Sequence, residues 1–286
     1  MPLLHESARK GAQITEREVA EIVEELNKVI QGEVRMDKTS RLLYSTDASL
    51  YQMQPVGVVL PHTVEDVQAT IQIAAEHGIP VIPRGGGTGL AGQTVNHGIM
   101  IDFSKYMNRV LEVNQEEHWA RVQPGVVVNH LSQGMGQYNM LYAPDPVSGA
   151  RATVGGGIGN NSCGTHSVIY GKTLDHIMEV DAVLSDGTRA SFKPAEGNLL
   201  EQKMLEDSLE GHIYREVRRL AHKHKEEIDR RFPKIQRRVS GYNLDEFVTD
   251  GPMNLTRMAV GSEGTLIAVT EAKVNLMPLP KVKGLA

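Results

Sequence analysis

The chain has 286 residues, a formal net charge of −5, 40% hydrophobic residues, few aromatics and one cysteine. That length suits one or two domains and is enough to bury a sizeable core. The lone cysteine, Cys163, excludes an internal disulfide and any cysteine-ligated iron–sulfur cluster within the chain, and the acidic balance argues against nucleic acid as a general partner. No apolar run reaches the roughly eighteen residues of a membrane span, and the opening Met1–Lys10 lacks the apolar core of a secretion signal. The expectation is a cytoplasmic protein without a membrane span.

In chain order, Thr15-Glu16-Arg17-Glu18 has capping-box spacing and predicts a helix with Ile22, Leu26, Val29 and Ile30 on one face. Val56–Leu60 reads as a buried strand ended by Pro61. Thr63 then caps a helix carrying Val64, Val67, Ile71 and Ala74, which Gly78 stops. Ile79–Pro83 is the next strand, so this unit predicts βαβ with the two strands parallel. Ile99–Phe103 follows too soon for a crossover, which needs a dozen or more residues and is usually helical, so no room is left for one. That context rejects a nicotinamide-type fingerprint, although Gly87-Thr88-Gly89-Leu90-Ala91-Gly92 satisfies G-x-G-x-x-G. Val110–Asn114 with Trp119–Val122 predicts a hairpin, Val126–Gly134 a helix, and Glu179–Leu184 with Thr188–Phe192 a second hairpin. Gly211–Arg238 carries ten Lys/Arg against four Asp/Glu and reads as one long amphipathic helix with a solvated basic face. Leu266–Val274 supplies a late strand. This mixture of a βαβ unit, hairpins and helices is α+β.

Three stretches of small residues stand out, each beside a β-branched segment. They are Val81–Leu90, with Pro83-Arg84-Gly85-Gly86-Gly87-Thr88-Gly89-Leu90; Pro144–Gly164, in which six of the last sixteen residues are glycine; and Val260–Ile267, with Gly261-Ser262-Glu263-Gly264-Thr265. Glycine costs about 0.5–1 kcal/mol of backbone entropy against alanine, and what it offers is bare N–H groups that can converge on an anion. A diphosphate cradle fits such runs, and so does a flexible surface loop. Arg84 fits either a phosphate contact or an ion pair that fixes the loop. Asn160 and Asn161 fit a ring edge or a ribityl chain, but equally a local turn. Glu263 can accept from a ribose or an adenine, or cap a turn. Gly171-Lys172-Thr173 is not a P-loop, because His166 stands where that motif needs glycine. Cys163 reads as a packing residue, and the histidines show no metal spacing.

In that order, the three motifs resemble the FAD-binding domain of the vanillyl-alcohol oxidase (PCMH-type) superfamily, in the branch of glycolate oxidase, D-lactate dehydrogenase and D-2-hydroxyglutarate dehydrogenase. The resemblance runs from about Asp47 to Pro278. It implies the PCMH-type fold, two small α/β subdomains with FAD extended between them: residues 1–46 as a helical extension and 47–286 as the FAD-binding domain, with subdomains of about 47–108 and 109–286. The implied FAD contacts are Arg84, Gly85, Gly86, Gly87, Thr88, Gly89 and Leu90; Pro144, Asp145, Thr153, Gly155, Gly156, Gly157, Asn160, Asn161 and Gly164; and Gly171, Glu263 and Gly264. Ser240–Asp245 resembles the Gly-Tyr-Asp-Leu run of these dehydrogenases, with Asn243 where aspartate is usual.

The activity this implies is hydride transfer from a small D-2-hydroxy acid to flavin, then electron passage to an acceptor such as an iron–sulfur domain or subunit. The family's substrate-binding cap, with its catalytic histidines, follows the Gly-Ser-Glu-Gly strand. No catalytic residue is therefore assigned within 1–286, and the chain is expected to be a fragment, a separate subunit or a module of a longer protein. Two other readings stay open: a non-catalytic flavin module serving a partner subunit, and a nicotinamide-fed reductase of the same fold. Relatives that tether flavin use a histidine after the first glycine run or a cysteine before the second. Here Thr88, Gly89 and Leu90 follow the first run, so FAD is expected to be held without a covalent bond.

Overall fold

The computed structural model describes residues 14–282, and Met1–Lys10, read above for a secretion signal, lies outside them. Thr15 and Glu18 form the capping box that opens α1 (Glu16–Val29). The chain continues through β1 (Glu33–Arg35), α2 (Lys38–Leu43) and β2 (Gly57–Leu60). A second capping box, Thr63 with Asp66, starts α3 (Val64–Glu76), after which Gly78 turns the chain at φ +66°. β3 (Val81–Arg84) and β4 (Ile99–Asp102) complete a four-stranded sheet of order β1-β2-β4-β3.

β2 and β3 are parallel, but they are not neighbours. Each pairs with β4, which lies between them, and β1 adds antiparallel on β2. The connection from β3 to β4 is thus a parallel crossover with no helix in it, made by the loop 85–98. The expectation that a crossover had no room there fails because glycine-rich backbone spans the gap in irregular form. Rejection of a nicotinamide-type unit stands, since no helix follows the fingerprint. β2 and β4 are buried along their whole length, the pattern of strands covered on both faces.

The second sheet holds β5 (Val110–Asn114) and β6 (Trp119–Val122). The chain then makes α4 (Val128–Met135), β7 (Met140–Leu141), α5 (Val154–Asn160) and α6 (Ser167–Tyr170). After β8 (Ile177–Val183) and β9 (Arg189–Phe192) come α7 (Gly197–Leu205), α8 (Leu209–Lys223), α9 (Lys225–Arg231), α10 (Thr256–Ala259), β10 (Ala268–Asn275) and β11 (Met277–Pro278). The sheet order is β5-β6-β10-β8-β9, antiparallel throughout, so both predicted hairpins form and the late strand seats itself between them. The basic segment is two helices, not one, broken at His224, and α7 is an element that the periodicity did not announce.

Each sheet has its own helical cover. Ile22 and Leu26 of α1 pack with Ala74 of α3 over Val59 and Ile99. Leu131, Val154 and Ile158 of α4 and α5 pack on Val122, Val180 and Val274. Tyr214 and Val217 of α8 pack on Phe192 and Leu184. A further cluster joins the two sheets: Val67 and Ile71 of α3, with Ile101 and Phe103, meet Val183 and Ala268. At its edge Arg189 donates to Gln68 (2.6 Å) and Glu65 (2.6 Å), while Gln68 donates to the Gly187 carbonyl (2.8 Å). Helix α3 therefore fastens one sheet to the other. Among the described residues no helix is long and apolar enough to cross a membrane.

Asp66 is fully buried and accepts from four backbone amides, Gln31 (2.8 Å), Gly32 (3.0 Å), His62 (2.8 Å) and Thr63 (3.3 Å). Removing it strands several partly buried donors at once, each costing up to about 1–3 kcal/mol before water or relaxation compensates. Asp66→Ala is expected to lower the unfolding free energy by about 3 kcal/mol in urea melts. A loss under about 1 kcal/mol would show that those amides find other partners.

His176 is buried, with Nε2 against the Tyr170 carbonyl (2.7 Å), and burial pulls its pKa below the ordinary histidine value. The folded state holds it neutral, whereas the unfolded chain protonates it near pH 6.5. Its contribution is therefore present above that pH and is lost as pH falls below it. The drop in Tm between about pH 7.5 and 5.5 should be smaller in His176→Gln than in the parent chain. Equal drops would assign the acid sensitivity elsewhere.

Candidate functional site

A cleft of about 620 Å³ opens at the carboxyl end of β3. That end of a parallel strand is where α/β sheets commonly receive ligands. One wall is Pro83, Arg84 and Gly85 with Gln93 and Thr94; the other is Thr153, Gly155, Gly156, Gly159 and Asn160; Ser262, Glu263 and Gly264 close one side. Phe103, Ile158, Ile267 and Val269 give it an apolar floor. All three small-residue runs thus meet at one place.

The runs touch so closely that side chains are excluded. A Cβ on Gly85 would overlap Thr153 Oγ1, and one on Gly86 would overlap the Arg151 carbonyl. Gly155 rests on Pro124, where a Cβ would come within 2.6 Å of the ring. Gly156 differs, for a Cβ there would meet only Thr153 Oγ1, at 3.3 Å, with the cleft beyond. The two runs also treat their amides differently. In α5, Gly155 N–H donates to the Pro124 carbonyl (2.8 Å), Gly156 to Thr153 Oγ1 (3.2 Å) and Gly157 to the Thr153 carbonyl (2.8 Å). Among the described residues, the N–H groups of Gly86, Gly87, Thr88 and Gly89 have no protein acceptor. Four successive free donors beside a cleft are what an anion needs.

Arg84 is the loop's anchor. Its guanidinium donates to the carbonyls of Thr94 (2.9 Å) and Thr46 (2.8 Å), at the two ends of the segments it ties, and stands 5.4 Å from the Tyr44 ring centre. Burial works against its charge, while nearby Asp102 and Asp47 favour it. This geometry fixes the loop, but through two backbone carbonyls and not through the ion pair that the sequence suggested. Asn161 is likewise a turn residue: it takes the left-handed conformation that ends α5, and its carbonyl accepts from Leu174 N–H (3.0 Å). Glu263 also sits in the left-handed region, at φ +52°, and accepts from Asn160 Nδ2 (3.0 Å). Burial pushes its carboxyl up, and the amides of Asn160 and Gln93 offset part of that.

Of the residues singled out from the sequence, Arg84, Gly85, Thr153, Gly155, Gly156, Asn160, Glu263 and Gly264 line the cleft. Gly86, Gly87, Thr88 and Gly89 continue the loop from its wall. Leu90 is exposed, and Pro144, Asp145, Gly157, Asn161, Gly164 and Gly171 are not part of the lining. Asp145 instead pairs with His166 and packs its carbonyl where a Cβ of Gly164 would be. Gly171 turns at φ +83° beside Asp175. Gln93, Thr94 and Ser262 line the cleft without having been picked out, because a lone polar residue in a loop carries no periodic signal.

Residues 55–193 match the family model described as "FAD binding domain". They are thus similar to FAD-binding domains, as the motif resemblance implied, and they include the first two of the three small-residue runs. The chain is 38% identical over 257 residues to D-2-hydroxyglutarate dehydrogenase of Pantoea ananatis, covering 88% of this chain and 25% of that protein. It is 33% identical over 245 residues to glycolate oxidase subunit GlcD of Bacillus subtilis, covering 85% of this chain and 42% of that one. The chain thus spans a quarter to under half the length of these relatives. Among solved structures, alkyldihydroxyacetonephosphate synthase superposes with a TM-score of 0.65 at 22% identity, over 92% of this chain and 41% of that one. 6-Hydroxy-D-nicotine oxidase from Arthrobacter nicotinovorans superposes with a TM-score of 0.58 at 18% identity, over 87% and 43%. These two show a shared fold. The residues present fit FAD, because unclaimed backbone donors lie beside a cleft whose opposite wall includes the bare backbone of Gly155, Gly156 and Gly159.

The two kinds of glycine should separate on mutation. Gly86→Val is expected to cost about 1–3 kcal/mol of stability as well as FAD uptake, since its side chain would wedge the runs apart. Gly156→Leu should stay folded and lose uptake, its side chain filling the cleft. Gly134→Ala, with open space around it, should bind FAD normally. Fluorescence titration with FAD beside thermal melts reads all three; uptake by Gly156→Leu equal to the parent's would misplace the cleft.

Proposed function

We propose that this chain is the FAD-holding part of a flavin-dependent D-2-hydroxy-acid dehydrogenase, with one subdomain built on each sheet and the cofactor lying between them. The observation that carries it is the row of amides at Gly86–Gly89 without a protein acceptor, in the loop that continues from one wall of the cleft, with the glycines of α5 on the other wall. Similarity to a D-2-hydroxyglutarate dehydrogenase and a glycolate oxidase subunit supports the substrate class.

In this reading Gly86, Gly87, Thr88 and Gly89 donate backbone hydrogen bonds to the diphosphate. Charge-assisted hydrogen bonds contribute about 1.5–3 kcal/mol each, so several hold an anion without a lysine. Gly155, Gly156 and Gly159 let the cofactor lie against bare backbone. Asn160, Ser262 and Glu263 supply the polar contacts along its length, and Phe103, Ile158 and Val269 exclude water from beneath it. When bound, FAD supplies a hydride acceptor for the oxidation of a 2-hydroxy acid. Cys163 and His166 do not line the cleft, which supports a cofactor held without a covalent bond. Electron passage to an iron–sulfur domain or subunit and a cytoplasmic location complete the proposal.

The purified chain is expected to be yellow and to release free FAD on acid denaturation; colourless protein that melts cooperatively and takes up no FAD would overturn the reading. In the whole protein that carries this chain, anaerobic D-2-hydroxyglutarate, D-lactate or glycolate should bleach the flavin band. Bleaching by NADPH alone would replace the dehydrogenase with a nicotinamide-fed reductase. Bleaching by none of them would leave a flavin module that serves another subunit.

A further inference from the structure

The loop 85–98 carries the amides without a protein acceptor, and its glycine-rich start does not fix its own shape. Ordering such backbone costs conformational entropy, and an ordering that awaits the ligand weakens the binding step. Three consecutive residues from outside the loop hold it beforehand. The Thr46 carbonyl accepts from the Arg84 guanidinium at the loop's root (2.8 Å). Ala48 N–H donates to the Gly87 carbonyl in the glycine run (3.0 Å). The Asp47 carboxylate accepts from Thr94 Oγ1 towards the far end (2.9 Å).

Those three residues are themselves held. They lie in a turn closed by a bridge between Thr46 and Gln52, and by Met53 N–H donating to the Ser45 carbonyl (2.9 Å). The second oxygen of Asp47 accepts from Ser49 N–H (2.8 Å), so one carboxylate fixes the turn and the loop together. Tyr51, from the same turn, lies against bare backbone, for a Cβ on Gly92 would come within 2.6 Å of its ring. The contact at Gly87 also bears on the donors. In a trans peptide the carbonyl and the following N–H point in opposite directions. With the Gly87 carbonyl tied to Ala48, the Thr88 N–H is turned away from residues 46–48.

We propose that residues 46–48 are a strap that holds the glycine loop in its anion-receiving shape, with Asp47 a positioning residue that strengthens cofactor binding without touching the cofactor. The strap precedes residues 55–193, which match the family model, and none of its three residues lines the cleft. Thr46 and Ala48 act through their backbone. Asp47 is therefore the member that a side-chain substitution reaches, and Thr94, on the cleft wall, is where its hold is felt.

The proposal rests on FAD occupying this cleft, and the experiment keeps the two apart. FAD affinity is measured by fluorescence titration, well below the apo Tm, for the 286-residue chain and four variants: Asp47→Ser, Thr94→Val, the two combined, and Leu50→Ala. The serine hydroxyl can still cap the turn at Ser49 but is too short for Thr94, and valine is close in shape to threonine. Asp47→Ser and Thr94→Val should each weaken FAD binding about tenfold. The double variant should be no weaker than either, because both remove the same bond. Leu50→Ala, at the exposed tip of the turn, should bind like the parent. Parent-like affinity in Asp47→Ser or in Thr94→Val would overturn the strap. So would a double variant about a hundredfold weaker, since Thr94 would then act on the cofactor independently of Asp47. An equal loss in Leu50→Ala would overturn it too, by showing that any disturbance of the turn suffices. A parent chain that binds no FAD would instead overturn the cofactor reading.

Discussion

The contact that the rest of this structure depends on is backbone against backbone: Gly85 and Gly86 of the first sheet's loop pressed on Thr153 and Arg151 of the run that enters α5. No Cβ fits between them. Once the two runs meet at that distance, the loop cannot fold back on itself to satisfy its own amides. Four N–H groups in a row then have no protein acceptor. Gly86 is exposed and Gly87, Thr88 and Gly89 are half-buried, so water can meet these donors and a ligand in the cleft would take its place. The glycines are needed twice over, first to let the layers touch and then to leave the donors bare.

Keeping that contact in register is a task for parts of the fold far from it. Helix α3 shares its buried face between the sheets through Val67 and Ile71, while Gln68 and Glu65 hold Arg189 at the turn of the second hairpin. The exposed ion pair contributes little by itself. The apolar cluster beneath it, with Phe103 also forming part of the cleft floor, is the stronger constraint. Because Phe103 belongs to both, the width of the cleft is coupled to the packing of α3. A cavity made at Val67 would be felt at the cofactor.

Local rules were the legible part of the sequence. Both capping boxes, both hairpins and the stop at Gly78 are where residue chemistry puts them, since each depends on neighbours a few positions apart. What pairs with what over long range was not legible. The seating of β4 between β2 and β3, and of β10 between the hairpins, is decided by burial of strands that all look alike from sequence. The basic segment misled for a related reason: its charge pattern is continuous, while the break at His224 comes from packing. For the candidate site, glycine density marked three runs that the fold brings to one cleft. It could not tell a glycine that bares an amide, as at Gly87, from one that admits a neighbour, as at Gly155 and Gly164. That distinction lies in where an absent Cβ would point.

Charge plays a smaller part in this cleft than its expected ligand would suggest. The two ionisable groups that line it are Arg84 and Glu263, of opposite sign. Arg84 donates to the carbonyls of Thr46 and Thr94, and Glu263 accepts from Asn160. Both act as struts of the cleft. Attraction for a diphosphate then falls to oriented peptide dipoles, which are fixed in place, carry no net charge to repel the carboxylate opposite, and lie in surroundings that salt screens less than a surface. A lysine in the same position would attract the anion more strongly from afar. It would also pair with Glu263 when the cleft stood empty, and that pair would have to break before any cofactor could enter. Bare backbone avoids the competition, and the carboxylate keeps its hydrogen bond to Asn160.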